Sequence, residues 1–260
     1  MKKLAILFGV SALLLVTFYY LQNLFPSQPQ NSFFSPSSST IVDTSHQLNL
    51  NNQEYQYYFY KIPSSAKLSL IPNFTQKESA QNIIKDNCDF AINGGLYTKN
   101  ETPVGLFFQD NQLLAKQITH QTFNGLLTKD KDSNLNILIS TDFDNNFEKY
   151  DFIVQSGPFY NLFSNTKEEY VNHQFDRRHL IAKDVQGNFY LFSISSSNNA
   201  YSGPRLEDIP DFFSHPQIKQ IASFSFALNL DGGSASAFYD GVYLVDELSP
   251  VGSILCGKLL

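Results

Sequence analysis

The sequence predicts an α+β domain built on a large mixed, mostly antiparallel sheet with two or three helices, folded as a single domain. Many short segments rich in aromatic and β-branched residues are separated by glycine, proline, serine or asparagine, which is typical of strands. Only two stretches carry a helical pattern, and they do not alternate with the strands as in a doubly wound parallel sheet. Hydrophobic residues make up 42% of the 260 positions, enough for a buried core.

The first two predicted strands, residues 54–62 and 66–71, are separated by a Pro-Ser-Ser turn, as the strands of a hairpin are. The later predicted strands lie at residues 88–93, 104–108, 123–127, 135–139, 152–155, 179–182, 189–194, 224–230, 235–239, 242–245 and 253–256.

Two helices are predicted from their start signals. Thr75 and Glu78 match the Thr-x-x-Glu capping box, which indicates a first helix that ends near Asn87. Pro204 is a favoured first-turn residue, and a second helix is predicted from there to just before His215.

The N-terminal residues 1–25 are predicted to be a signal-anchor or a signal peptide. Two lysines precede an uncharged apolar stretch, residues 4–24, whose length suits a bilayer. No small-x-small cleavage site follows, which favours an uncleaved anchor, although a cleaved signal with an atypical site stays open. Residues 26–40 are rich in Ser and Pro and predict a linker, and residues 41–260 predict the folded domain. The domain is therefore expected on the periplasmic or extracellular side, anchored in the membrane or, if the segment is cleaved, secreted.

Charge and cysteine content bear on which ligands and cofactors the protein can bind. With 18 basic and 24 acidic residues the net charge is -6, and no basic cluster exceeds two residues, which argues against nucleic acid. Cys88 and Cys256 could form one disulfide or remain two buried thiols. No cofactor is predicted, because no CxxC or HExxH spacing occurs; a divalent cation held partly by Asp231 is left open.

Two strand ends resemble each other chemically: residues 91–97, AINGGLY, and residues 228–236, LNLDGGSAS. A glycine pair permits positive φ, lets a ligand approach the backbone, and can expose amides to an anion. Each motif alone could be an ordinary hairpin turn. Because both follow apolar strands, they favour a shared site. The second motif also lacks the final glycine of the Gly-x-Ser-x-Gly elbow, so a serine hydrolase is not favoured.

Two further features add candidate polar groups. Residues 155–158, QSGP, form a third strand end with a small hydroxyl and a glycine, which alone would be a turn. An arginine pair ends at Arg178, before the strand HLIAKD. Such an arginine usually meets solvent or an acid, and its functional interpretation is a fork of donors for phosphate or carboxylate oxygens.

Taken in order, six motifs resemble the phosphodiester glycosidase family: AINGGLY, PVGL, QSGP, an arginine before LIAKD, FSIS and ALNLDGGSAS. That family includes the animal uncovering enzyme, which removes N-acetylglucosamine from a phosphodiester on mannose, and bacterial exported proteins related to exopolysaccharide. The resemblance covers about residues 55–260. It implies catalytic roles for Asp231, Arg178 and Asn93. It implies substrate binding by Gly94, Gly95, Ser156, Gly157, Gly232, Gly233, Ser234 and Ser236.

The resemblance implies an extracytoplasmic hydrolase that cleaves a glycosyl-1-phosphodiester linkage in a glycan or cell-envelope polymer. Asp231 would be the nucleophile or general acid/base, while Arg178 and the glycine amides would neutralise phosphate. The expected partners are a phosphorylated glycan and, through the N-terminal segment, the membrane.

The chain also departs from the family pattern. Leu96-Tyr97 replaces a usual Phe-Phe, and the residues after Arg178 replace a small or polar residue followed by glycines. Two alternatives follow. One is a non-catalytic polysaccharide-binding or exopolysaccharide assembly protein that uses the same pocket, and the other is a hydrolase of ordinary phosphodiesters.

Overall fold

The computed structural model describes residues 44–164 and 173–260. Across these residues, sixteen strands and three α-helices confirm the predicted α+β class. The helices are α1 (Ala80–Asn87), α2 (Ile209–Ser214) and α3 (Pro216–Ile221). The strands are β1 (His46–Leu50), β2 (Gln53–Lys61), β3 (Lys67–Pro72), β4 (Phe90–Asn93), β5 (Phe107–Gln109), β6 (Gln112–Ala115), β7 (Gly125–Asp130), β8 (Leu135–Ile139), β9 (Tyr150–Ser156), β10 (Phe159–Asn161), β11 (Arg178–Asp184), β12 (Phe189–Ser196), β13 (Phe224–Asn229), β14 (Phe238–Tyr239), β15 (Leu244–Val245) and β16 (Ser253–Lys258).

The predicted N-terminal segment and linker, residues 1–25 and 26–40, lie outside the described residues. Within the part of the chain that is described, no helix has both the length and the apolar character needed to cross a membrane.

The strands form three sheets, and every described strand pair is antiparallel. Sheet 1 has the order β1-β2-β12-β11-β13-β10, sheet 2 the order β15-β14-β4-β16-β3, and sheet 3 the order β6-β5-β9-β7-β8. The predicted mostly antiparallel arrangement is thus confirmed, with the strands distributed over three sheets.

One buried apolar cluster joins all three sheets. It takes side chains such as Leu191 from sheet 1, Phe90 and Leu255 from sheet 2, and Phe107 and Val154 from sheet 3. The second faces of sheets 1 and 2 are covered separately by helices. Helices α2 and α3 pack on sheet 1, and α1 packs on sheet 2. Because most central strands are buried on both faces, their sequences read as apolar runs with little alternation.

The predicted hairpin of residues 54–62 and 66–71 is wrong. β2 pairs with β1 and β12 in sheet 1, whereas β3 pairs with β16 in sheet 2. Between them the Ala66 amide donates to Pro63 O at 3.0 Å, which forms a turn that carries the chain from one sheet to the next. The alternating tyrosines of β2 reach buried clusters on both of its faces, as a central strand requires.

Both helix starts differ from the prediction. α1 begins at Ala80, because Ser79 supplies the cap and its Oγ accepts from the Asn82 amide at 3.3 Å. The segment after Pro204 begins with a 3-10 turn, Leu206–Asp208, and the α-helix starts only at Ile209. Pro216 then starts α3 where we expected the helical segment to end, as a first-turn proline can.

Three strands that the sequence analysis did not predict, β1, β6 and β10, lie at or next to sheet edges. They have at most five residues and carry few consecutive apolar residues, so their pattern is weak.

Cys88 and Cys256 form a disulfide, with Cα atoms 5.3 Å apart. It joins the residue after α1 to β16, which lies between β4 and β3 in sheet 2.

Candidate functional site

The two glycine-pair motifs meet where sheets 1 and 2 approach each other. After β13 the Leu230 amide donates to His179 O at 2.8 Å, and the Asp231 amide donates to Gly94 O at 3.1 Å. The chain then continues to Ala237, whose carbonyl accepts from the Asn93 amide at 2.9 Å. The site loop, residues 231–237, therefore crosses from β13 to β14 over the end of β4, and neither motif is a hairpin turn.

Asn93 holds this crossing through both ends of its amide. Its Nδ2 donates to Asp231 O at 2.9 Å and to Gly94 O at 3.1 Å. Its Oδ1 accepts from the Ala237 amide at 3.1 Å and lies 2.6 Å from His179 Nδ1. Asn93 is buried, and every polar atom of its side chain has a protein partner. Its geometry is that of a residue that positions Asp231.

His179 lies next to the Asn93 side chain and is fully buried. Because Asn93 Oδ1 can only accept, His179 Nδ1 carries the hydrogen, and Nε2 accepts from the Ser193 hydroxyl at 2.9 Å. Burial, with Arg177 nearby, holds the imidazole pKa well below its usual value. The imidazole is therefore neutral and serves as a fixed donor and acceptor.

The arginine pair, Arg177 and Arg178, lies next to the site loop. Arg177 is buried, and its guanidinium donates to Ser236 Oγ at 2.8 Å and to Asp246 O at 2.9 Å. Arg178 donates from Nε to Pro204 O at 2.9 Å and from Nη2 to Gln174 O. Burial lowers the pKa of both guanidinium groups, yet both remain charged.

Two glycines let the backbones come this close. A Cβ at Gly232 would lie 2.5 Å from Arg177 O and 4.0 Å from Arg178 Nη1. A Cβ at Gly95 would lie 2.7 Å from Gln155 O in β9. These glycines allow tight backbone packing around Asp231, which is a structural reason for the motif.

Asp231 presents the titratable carboxyl of this junction. The residue is half-buried, and burial raises the pKa of its carboxyl to about 7, with a further contribution from the charge of Asp176. The Gly232 amide donates to Asp231 Oδ1 at 2.9 Å and opposes that rise. Near neutral pH the carboxyl is therefore divided between its acidic and ionised forms, as a general acid/base requires.

Two side chains that the sequence analysis did not assign to the site lie around Asp231. Burial and the Asp231 charge raise the pKa of Tyr97, whose hydroxyl donates to Pro250 O. Asp176 Oδ2 lies 3.8 Å from Arg178 Nη2, and its Oδ1 would lie 3.5 Å from a Cβ at Gly233.

Residues 86–255 match the family model described as phosphodiester glycosidase. The chain belongs to the phosphodiester glycosidase family. A comparison with curated proteins finds no match.

Three solved structures share the fold of this phosphodiester glycosidase family member. The zebrafish N-acetylglucosamine-1-phosphodiester α-N-acetylglucosaminidase catalytic domain, auto-inhibited by its pro-peptide, is 15% identical with a TM-score of 0.57, over 86% of this chain and 85% of that one. A hypothetical protein from Synechocystis is 15% identical with a TM-score of 0.51, over 82% and 61%. A protein from Burkholderia pseudomallei is 11% identical with a TM-score of 0.59, over 80% and 75%.

The residues that we expected to bind substrate fall into two groups, one partly exposed and one buried. The exposed or half-exposed group lies directly after Asp231 and comprises Gly232, Gly233 and Ser234. The buried group comprises Gly94, Gly95, Ser156, Gly157 and Ser236.

The buried hydroxyls have protein partners. Ser156 Oγ donates to Asn229 O at 2.8 Å, and Ser236 Oγ donates to Gly233 O at 2.7 Å. The Gly157 carbonyl accepts from Asn229 Nδ2 at 3.0 Å. These contacts hold the strand ends together beneath the loop.

Three of the glycine amides that were expected to neutralise phosphate have protein acceptors. The Gly94 amide donates to Ser253 O at 2.8 Å, and the Gly233 amide donates to Arg177 O at 2.9 Å. The Gly232 amide donates to Asp231 Oδ1, and Arg178 Nη1 would lie 4.0 Å from a Cβ at Gly232. Over residues 44–164 and 173–260, no three His, Cys, Asp or Glu side chains group so as to hold a metal ion.

Asp176 and His179 were within reach of the sequence, because they flank the arginine pair in the run Asp-Arg-Arg-His. No periodicity or spacing marks their roles, since both depend on the site loop, more than 50 residues later, folding back over them.

Proposed function

We propose that this family member is an extracytoplasmic hydrolase that cleaves the bond between an anomeric carbon and a phosphodiester oxygen, in a glycan or cell-envelope polymer. The observation that carries the proposal is Asp231, a carboxyl with a pKa of about 7 at the half-exposed edge of two converging glycine motifs. Membership of the phosphodiester glycosidase family supports the reaction class.

The raised pKa of Asp231 suits an anionic substrate. A phosphodiester carries a negative charge, which an ionised carboxylate beside it would repel. In its acid form, Asp231 can donate a hydrogen bond to a phosphate oxygen and transfer its proton as the glycosidic bond breaks. The leaving group is a phosphomonoester, which departs more readily than an alkoxide and therefore needs only modest proton assistance.

Fixed positive charge would assist the same step. Arg178 Nη1 lies 4.0 Å from the position of a Gly232 Cβ, so a guanidinium stands behind the backbone that follows Asp231. Because the side chain is buried, solvent screens its field less than it would screen an exposed arginine. Ser234, which is exposed on the same loop, can reach sugar hydroxyls.

The disulfide supports the extracytoplasmic part of the proposal. Such bonds persist in oxidising compartments and are rare in the cytosol, and Cys88 and Cys256 are joined here. With the apolar residues 4–24 as anchor or cleaved signal, the site would face envelope or extracellular glycans.

The test is an assay of purified protein on methyl N-acetyl-α-glucosaminyl phosphate, with separate detection of each product. Free sugar with methyl phosphate supports the proposal, whereas intact sugar phosphate with methanol supports an ordinary phosphodiesterase. Saturable binding without either product supports the non-catalytic alternative. Asp231→Asn should lower kcat about a thousand-fold, while Asp132→Asn, an exposed aspartate in the β7–β8 turn, should leave kcat unchanged.

A further inference from the structure

A second carboxylate lies beside the loop that carries Asp231. The Gly233 amide donates to Arg177 O at 2.9 Å, so residues 231–233 run alongside residues 176–178. Asp176 Oδ1 would lie 3.5 Å from a Cβ at Gly233, which is an ordinary van der Waals separation. The charge of Asp176 also acts on the Asp231 carboxyl.

We propose that Asp176 is the second catalytic carboxylate of this site, the base that activates the attacking water while Asp231 serves the leaving group. This assignment rests on the proposed function and adds the residue that completes its acid/base pair. The sequence nominated no partner for Asp231, because 54 residues separate the two aspartates.

The environments of the two carboxyls differ in the way that divided roles require. The Asp176 side chain is 37% exposed and faces Arg178 Nη2 at 3.8 Å, so solvent and a guanidinium stabilise its charge. Asp231 is half-buried, accepts one backbone amide, and stands near the negative charge of Asp176. Asp176 is therefore the more exposed carboxyl, next to a guanidinium, and Asp231 is the one whose acid form burial favours.

The chemical step balances with these two groups and one water. As the water oxygen bonds to the anomeric carbon, the Asp176 carboxylate takes one of its protons. The bond from that carbon to the phosphodiester oxygen breaks, its electron pair stays on the oxygen, and Asp231 gives up its proton there. The products are a sugar with a free anomeric hydroxyl and a phosphomonoester. Exchange of one proton with solvent restores both carboxyls.

The charged neighbours define the expected pH profile. Tyr97 interacts with Asp231, and Arg178 interacts with Asp176. Tyr160, Glu207 and Asp208 also act on Arg178, and His179 lies next to Asn93 and Arg177. The arginines and Tyr97 titrate above neutral pH, and His179 is held neutral by burial. The alkaline limb of the kcat/KM profile should therefore come from Asp231, with its midpoint near pH 7.

The experiment compares Asp176→Ala and Asp176→Asn with Asp231→Asn and the control Asp132→Asn, using methyl N-acetyl-α-glucosaminyl phosphate. We expect both Asp176 variants to lose at least a hundred-fold in kcat while they keep the alkaline limb that comes from Asp231. Added azide should restore turnover about ten-fold or more in Asp176→Ala, giving the β-glycosyl azide, because the removed carboxylate leaves room on the face that water attacks. Asp231→Asn should lose the alkaline limb and gain nothing from azide.

Each other outcome has a distinct meaning. An active wild type with fully active Asp176 variants overturns the assignment and leaves the proposed function standing. Loss of activity in the Asp176 variants with no azide product from Asp176→Ala also overturns it, since a merely structural role would give that result. An inactive wild type overturns the proposed function, and the assignment with it. Thermal unfolding of each variant serves as the folding control.

Discussion

The Asn-Gly-Gly and Asp-Gly-Gly motifs differ by one atom type at their first residue, yet they have opposite surroundings. Residues 93–95 are buried, and all polar atoms of Asn93 bind protein partners. Residues 231–233 are half-buried, and the Asp231 carboxyl has one described hydrogen bond, from the next amide. The first motif holds the second in place.

The chemistry of the two side chains explains the difference. A side-chain amide both donates and accepts. Asn93 can therefore donate to the carbonyls of Gly94 and Asp231 while it accepts from the Ala237 amide and from His179. An ionised carboxylate only accepts, and burial without a cation raises its pKa, as for Asp231. Similar turns in a sequence can therefore separate into a structural residue and a reactive one.

The largest expected effect comes from breaking the structural motif. Asn93→Ala leaves the Ala237 amide, His179 Nδ1 and one carbonyl without their partner in a buried place. Gly94 O keeps the Asp231 amide as a donor, so three groups lose their partner. We expect the free energy of unfolding to fall by about 3 kcal/mol, at about 1 kcal/mol or more for each unpaired group. Urea denaturation measures it. Asn136→Ala, an exposed asparagine in β8, should cost less than about 1 kcal/mol, and an equal loss in both variants would contradict the structural role.

The second largest effect concerns Asp231 and the way its protonation changes the free energy of unfolding with pH. Since the folded pKa of Asp231 is about 7 against 3.8 in the unfolded chain, the folded state binds the proton more tightly. Its contribution to stability is full below pH 3.8 and is lost as pH rises through 7. Asp231→Asn, which resembles the acid form, should therefore raise the free energy of unfolding by about 2 kcal/mol at pH 8 to 9, a figure reduced for partial solvent contact.

The same substitution should have little effect at pH 4, where wild type is itself protonated. Parallel denaturation curves at both pH values give the difference, and Asp132→Asn should show none at either. A variant less stable than wild type at pH 9 would mean that the carboxylate, not the acid, is the form the fold prefers.

The sequence predicted the strands well because aromatic and branched residues mark them wherever they are buried. It also placed Asp231 and the glycine pairs at strand ends. It could not predict which strands pair, because β2 and β3 are neighbours in the chain but belong to different sheets. The burial of Asn93 and Ser156, and the approach of Asp176 to Gly233, depend on contacts between distant segments that no local pattern records.

The smallest effect tests the second motif's backbone. Gly233 has φ of 62°, a left-handed conformation, and a Cβ there would meet nothing closer than Asp176 Oδ1 at 3.5 Å. Gly233→Ala should therefore cost only the conformational strain, about 1 to 2 kcal/mol. Gly233→Asn should cost less, because asparagine adopts this conformation more readily. Since space is available, a loss much larger than 2 kcal/mol in thermal or urea unfolding would mean that the loop is packed as tightly as the Asn-Gly-Gly motif. Such a result would contradict the half-exposed position of Asp231. A carboxyl can contact a substrate only where its own loop leaves room.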